Sequence, residues 1–66
     1  MKITTKQPKK GQFVAVWKTT EGLTCSAMFE KSGDQWKEFK EDTDDFEDVN
    51  INDFFGIDEN TIYIKL

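Results

Sequence analysis

Glu38-Phe39-Lys40 is the tripeptide in this chain whose residue types and spacing most resemble a reactive site. In metal-dependent nucleases an E-x-K step on a strand points a carboxylate and an ammonium into one place. There acids hold magnesium through oxygen ligands and the lysine orients the attacking water. Asp34, Glu21 and Glu30 are the acids that nearby turns and strand ends would bring to it. With 33% of residues charged, however, such a step arises readily by chance, so it is kept as a nuclease-like alternative and not as an assignment. Asp42 and Asp44 begin the alternating ligand spacing of a calcium loop. Phe46 then stands where the third ligand belongs and Glu47 where the sharp turn needs glycine, which rejects an EF-hand. Cys25 is the single cysteine, so no internal disulfide forms. The absence of histidine removes both a cysteine-histidine zinc site and an imidazole to activate the thiol. The expectation is a protein without catalytic residues, metal or cofactor.

Charge is more informative than any motif. The formal net charge of −4 combines two unlike halves. Up to Gly33, six lysines face Glu21 and Glu30, giving +4; from Asp34 onward, three lysines face eleven acids, giving −8. Glu41, Asp42, Asp44, Asp45, Glu47, Asp48 and Asp53 make the densest acidic stretch, with Phe46 set among them. Such runs are commonly solvated loops or the exposed face of a helix. Seven acids close together nevertheless repel one another in a folded chain, and a cationic partner would relieve that cost. Carboxylates on a rigid surface can also imitate successive phosphates and occupy a basic cleft on a DNA-binding protein, a contact steered by charge and weakened by salt. At the other end, Lys6, Lys9, Lys10 and Lys18, with Trp17, are the residues that would touch phosphate and stack on a base. The chain has no arginine, the residue best suited to bidentate phosphate recognition.

Only a sheet can hold these groups in place. Residues 11–30, GQFVAVWKTTEGLTCSAMFE, contain two runs with the period of two that marks half-buried strands. Phe13, Ala15 and Trp17 share one face of the first run; Leu23, Cys25, Ala27 and Phe29 share one face of the second. The polar Thr19-Thr20-Glu21-Gly22 between them reads as a hairpin connection. After a second turn at Lys31-Ser32-Gly33-Asp34, residues 35–40 form a third strand with Trp36, Glu38 and Lys40 on one side. Ile3 to Thr5 reads as a short strand, stopped before Pro8, and residues 7–11 as a turn. Val49 and Ile51 read as a strand fragment passing into one helical turn, with Asn52 or Asp53 as cap and Gly56 as terminator. Asp58-Glu59-Asn60 reads as a turn, and Ile62, Ile64 and Leu66 mark a closing strand. The fold class is mainly β: a single small domain over residues 1–66, an antiparallel meander of four or five strands with at most one short helical turn.

Sixty-six residues bury only about 60% of the surface that the unfolded chain exposes. With no staple, the nine aromatic residues must supply the core. The N-terminal residues lack the apolar stretch of a signal peptide and no run of eighteen apolar residues occurs. The expected compartment is the cytoplasm, bacterial or that of a host cell, with no membrane contact and no small-molecule ligand.

Ile3-Thr4, Pro8-Lys9-Lys10, Gly11-Gln12-Phe13-Val14 and Trp17-Lys18 resemble the opening strand motif of the MepB family. Phe29 and Asp44-Asp45-Phe46-Glu47 are similar to that family's aromatic residue and acidic-aromatic step. The likeness covers about the first three quarters of the chain loosely and residues 11–18 closely. It implies an endonuclease-like α/β core associated with nucleic-acid binding and no established reaction. MepB-like proteins are considerably longer, and they carry a basic residue where this chain has Thr19.

Four readings follow. The first is a non-enzymatic binding protein, an inhibitor in character, whose acidic surface engages a basic site on another protein that itself binds nucleic acid. The second is a MepB-like nucleic-acid-binding module using the N-terminal lysines and Trp17 or Trp36. The third is the nuclease remnant on Glu38 and Lys40. The fourth is a homodimer that buries Val14, Val16 and Met28 against a second copy.

Overall fold

The computed structural model describes residues 2–54, 57 and 60–66. They form one antiparallel sheet of six strands: β1 (Lys2–Thr4), β2 (Lys10–Lys18), β3 (Thr24–Ser32), β4 (Gln35–Lys40), β5 (Asp45–Val49) and β6 (Ile62–Lys65). A 3-10 turn, Ile51–Asp53, is the only helical element among the described residues. The spatial order is β1-β6-β2-β3-β4-β5. Four strands therefore run as the expected meander, while β6 returns to pair with β2 on its other side and β1 pairs with β6.

Turn chemistry sets this path. Gly33, at φ 61°, opens a two-residue loop between Ser32 and Gln35, which pair with each other. A Gly-X loop of this kind matches the right-handed twist of the strands it joins. The β2–β3 connection closes with Gly22 at φ 84°, its amide donating to the Thr19 carbonyl, while the Leu23 amide donates to Thr19 Oγ1. Leu23 thus belongs to the turn and is exposed, a correction to its expected place on the apolar face of the second strand.

The register sorts the two faces. Phe13 pairs with Phe29, Ala15 with Ala27 and Trp17 with Cys25, and Ala15 also faces Tyr63. Phe13, Ala15, Trp17, Phe29, Trp36 and Tyr63 are the buried core. Each fully buried large side chain contributes about 1.5–3 kcal/mol relative to exposure. The rings meet edge-on: Phe13 lies 5.7 Å from both Trp36 and Tyr63, and Phe29 lies 5.3 Å from Trp36 and 5.1 Å from Phe54. Ile51, Phe54 and Ile57 pack over this face, so a single crossing segment forms the second layer. Cys25 is a free thiol packed against the same cluster as a small hydrophobe.

Two expectations change. The strand fragment expected at Val49 and Ile51 lies earlier, as β5, and the helical turn is capped by Asn50, whose side chain accepts from the Asn52 amide, and ends at Phe54. The cap assigned to Asn52 or Asp53 therefore belongs two residues upstream or more, because Asn50 has the extended backbone a cap needs. Gly56, the expected terminator, Phe55 and the Asp58-Glu59 step lie outside the described residues. The segment 5–9, which must carry the chain past β6 from β1 to β2, is tied to the core side. Gln7 Nε2 donates to Tyr63 Oη at 3.4 Å, Lys31 Nζ donates to Gln7 Oε1 at 2.9 Å, and Pro8 is buried. No helix of the described residues is long and apolar enough to cross a membrane.

Candidate functional site: an acidic edge hairpin

The acidic stretch is an ordered hairpin. Lys40 pairs with Asp45, Phe39 with Phe46, Glu38 with Glu47, Lys37 with Asp48 and Trp36 with Val49. Residues 41–44 form the turn, and Asp44 takes φ 53°, a left-handed conformation that aspartate tolerates better than most residues. Short polar contacts fix the loop: Thr43 Oγ1 donates to the Lys40 carbonyl at 3.5 Å, and Asp45 Oδ1 accepts from the Phe46 amide at 2.8 Å. At the far end Gln35 Nε2 donates to Asp48 Oδ1 at 2.7 Å.

Glu41, Asp42, Asp44, Asp45, Glu47 and Asp48 are all exposed, and β5 is an outer strand of the sheet. Along a strand, same-side carboxylates such as Asp45 and Glu47 stand roughly 7 Å apart. Asp48 lies on the opposite face of β5 and Glu41, Asp42 and Asp44 in the turn, so negative charge surrounds this end of the sheet. Phe46, set among these acids, sits half-exposed on the sheet face opposite the core, its ring 5.4 Å from that of Phe39. Period-two alternation decides this: Asp45 and Glu47 share the face of the core, which leaves Phe46 on the other. Asp53 lies on the 3-10 turn, outside the hairpin.

Lys40 is the counter-charge within the site. Its Nζ lies 2.8 Å from Glu38 Oε1. This hydrogen bond, the Glu38 charge, and the more distant charges of Glu47 and Asp42 hold the ammonium above its ordinary pKa. The E-x-K pair is thus bonded to itself. Glu47 is the acid brought opposite Glu38, while Glu30 falls on the other sheet face and Glu21 and Asp34 lie in turns at opposite ends of β3. Among the described residues no group of three or more His, Cys, Asp or Glu side chains is placed to hold a metal ion.

The lysines collect at the other edge. Lys6, Lys9 and Lys10 line a cleft of about 380 Å³ together with Lys2 and Lys65, two residues that sequence reasoning missed and that the β1–β6 register places opposite each other. Lys18 is at the far end of β2, and Trp17 packs into the core against Phe29 and Phe54, so neither joins that cleft. Compared with protein-family models, curated proteins and solved structures, the chain matches none.

Proposed function

We propose that the chain is a non-enzymatic binding protein whose acidic β4–β5 hairpin occupies a basic site on another protein, competing there with nucleic acid. The observation that supports this reading most is the set of six exposed carboxylates fixed on a paired hairpin at a sheet edge. A paired hairpin loses little conformational entropy on docking, whereas a mobile acidic tether would lose much. Opposite charge steers the encounter and makes it sensitive to salt.

The test is affinity capture followed by salt titration, with a variant carrying Asp42→Asn, Asp44→Asn, Asp45→Asn and Glu47→Gln. These substitutions keep the turn's hydrogen-bond acceptors and remove four charges. Binding should weaken at least about tenfold on raising salt and by a similar or larger factor in the variant. A complex indifferent to both would overturn the reading.

A second reading, a MepB-like nucleic-acid-binding module, draws on the five-lysine cleft. Oligonucleotide titration at low salt separates the two, since only this reading expects binding that Lys6→Ala, Lys9→Ala and Lys10→Ala together abolish.

A further inference from the structure

Lys2, Lys6, Lys9, Lys10 and Lys65 converge on one cleft of about 380 Å³, within the ~300–1,000 Å³ of small-molecule sites. No acidic side chain and no aromatic ring lines it with them. None of the five makes an ion pair among the described residues, where Lys40 with Glu38 is the one such contact. Lys2 stands directly opposite Lys65 in the β1–β6 register, and like charges so placed destabilise a sheet. Cations gathered in this way repel one another, and a bound anion relieves that cost.

The cleft is also held in shape. On the loop that carries Lys6 and Lys9, Gln7 Nε2 donates to the hydroxyl of the core residue Tyr63 and Gln7 Oε1 accepts from Lys31, while the Lys6 amide donates to Thr4 Oγ1 at 3.1 Å. Pro8, buried between the two lysines, stiffens the backbone there. Little ordering of this loop is left to be lost when a ligand binds.

We infer that this cleft binds a condensed oligophosphate, a short chain of directly linked phosphates, free or carried on a nucleotide, and holds it by charge. Lysine meets phosphate as a compact point charge with three donors, so five lysines around one small cleft call for several negative charges on adjoining groups. An extended acidic peptide does not supply that density, because its same-side carboxylates stand roughly 7 Å apart. A single nucleic-acid strand brings bases that gain from an aromatic stacking surface. Both tryptophans are instead buried in the core, Trp17 7% and Trp36 6% exposed. Lys2 and Lys65 reach the cleft only through the β1–β6 pairing, which is why the sequence pointed to no small ligand. The ligand class goes beyond the nucleic-acid reading of the same cleft and is independent of the acidic hairpin at the opposite edge of the sheet.

Isothermal titration calorimetry of the full chain at low salt tests the inference, with tripolyphosphate, orthophosphate, adenosine triphosphate and a short oligothymidylate as probes. Tripolyphosphate should bind one to one and at least about tenfold more tightly than orthophosphate or an oligothymidylate of similar charge. Adenosine triphosphate should bind no more tightly than tripolyphosphate. Equal binding means that either source of linked phosphates serves, and much weaker binding assigns the free oligophosphate. Lys2→Gln with Lys65→Gln, and separately Lys6→Gln with Lys9→Gln on the loop, should each weaken tripolyphosphate binding at least about tenfold while the strand signal in circular dichroism persists. Lys18→Gln, at the far end of β2, should leave it unchanged. No saturation up to millimolar tripolyphosphate overturns the inference, as do undiminished binding by the folded double variants, equal weakening by Lys18→Gln, or far tighter binding of adenosine triphosphate. An oligothymidylate that binds more tightly than tripolyphosphate also overturns it and keeps the nucleic-acid reading. Tripolyphosphate binding without oligothymidylate binding does the reverse.

Discussion

Glu38 and Lys40 show how a reactive-looking pair becomes a structural one. Both point to the core face of β4, two residues apart, and the 2.8 Å contact between them binds the lysine to the carboxylate that a metal would need. Because Lys40 is held above its ordinary pKa of 10.5, the protonated form is favoured in the fold. Its contribution to stability is therefore complete below the unfolded lysine pKa and is lost as pH rises through the higher folded value. Thermal unfolding followed from neutral to strongly alkaline pH should show a decline above that range that is smaller in Lys40→Met than in the parent chain. Equal declines would mean that the ion pair adds nothing, as exposed pairs often do.

Hairpin turns are where single residues control an element. Gly33 at φ 61° lets β3 and β4 meet through two residues; a branched side chain there faces the left-handed penalty. Gly33→Val should cost about 1–2 kcal/mol, measurable as a lower urea midpoint with an unchanged slope. Strands β2, β3 and β6 were legible in the alternation of their apolar residues, and β4 in the short polar turn that precedes it. Strand β5 was not, since three of its five residues, Asp45, Glu47 and Asp48, have poor β propensity and would suit a loop equally well. Pairing with β4 and the Phe39–Phe46 contact overcome that preference, and such cross-strand pairs contribute roughly 0.2–1 kcal/mol each.

At the scale of the molecule, one sheet face, with Ile51, Phe54 and Ile57 packed on it, makes the core among the described residues. A chain of this length has a stability of roughly 3–10 kcal/mol. Phe29, fully buried at the centre of four aromatic contacts, is the most exacting position. Phe29→Ala should cost about 3–5 kcal/mol, most or all of the total, and abolish the cooperative thermal transition seen by near-ultraviolet circular dichroism. A cooperative melt within a few degrees of the parent would show that the core is not shared in this way. Charge separation also belongs to this scale. Lys37 and Lys40 sit beside the acids of β5, yet the lysine cleft stands at the opposite edge, so the two-ended character of the chain survives folding.

Local alternation and turn residues were enough to fix the β class, the β2–β3 and β3–β4 hairpins, the core face of Phe13, Ala15 and Trp17, and the closing strand. Each depends on residues close in the chain, where a period of two and a glycine at a turn carry the information. Strand order was decided only in three dimensions. Nothing near Ile62 says that β6 will pair with β2 across more than forty residues, or that β1 will pair with β6. From those two non-local pairings comes the lysine cleft, which gathers Lys2, Lys65 and Lys10 from three strands. Long-range pairing assembles that surface from segments that share no local signal, because sheet register is settled by burial of the aromatic core rather than by any one strand.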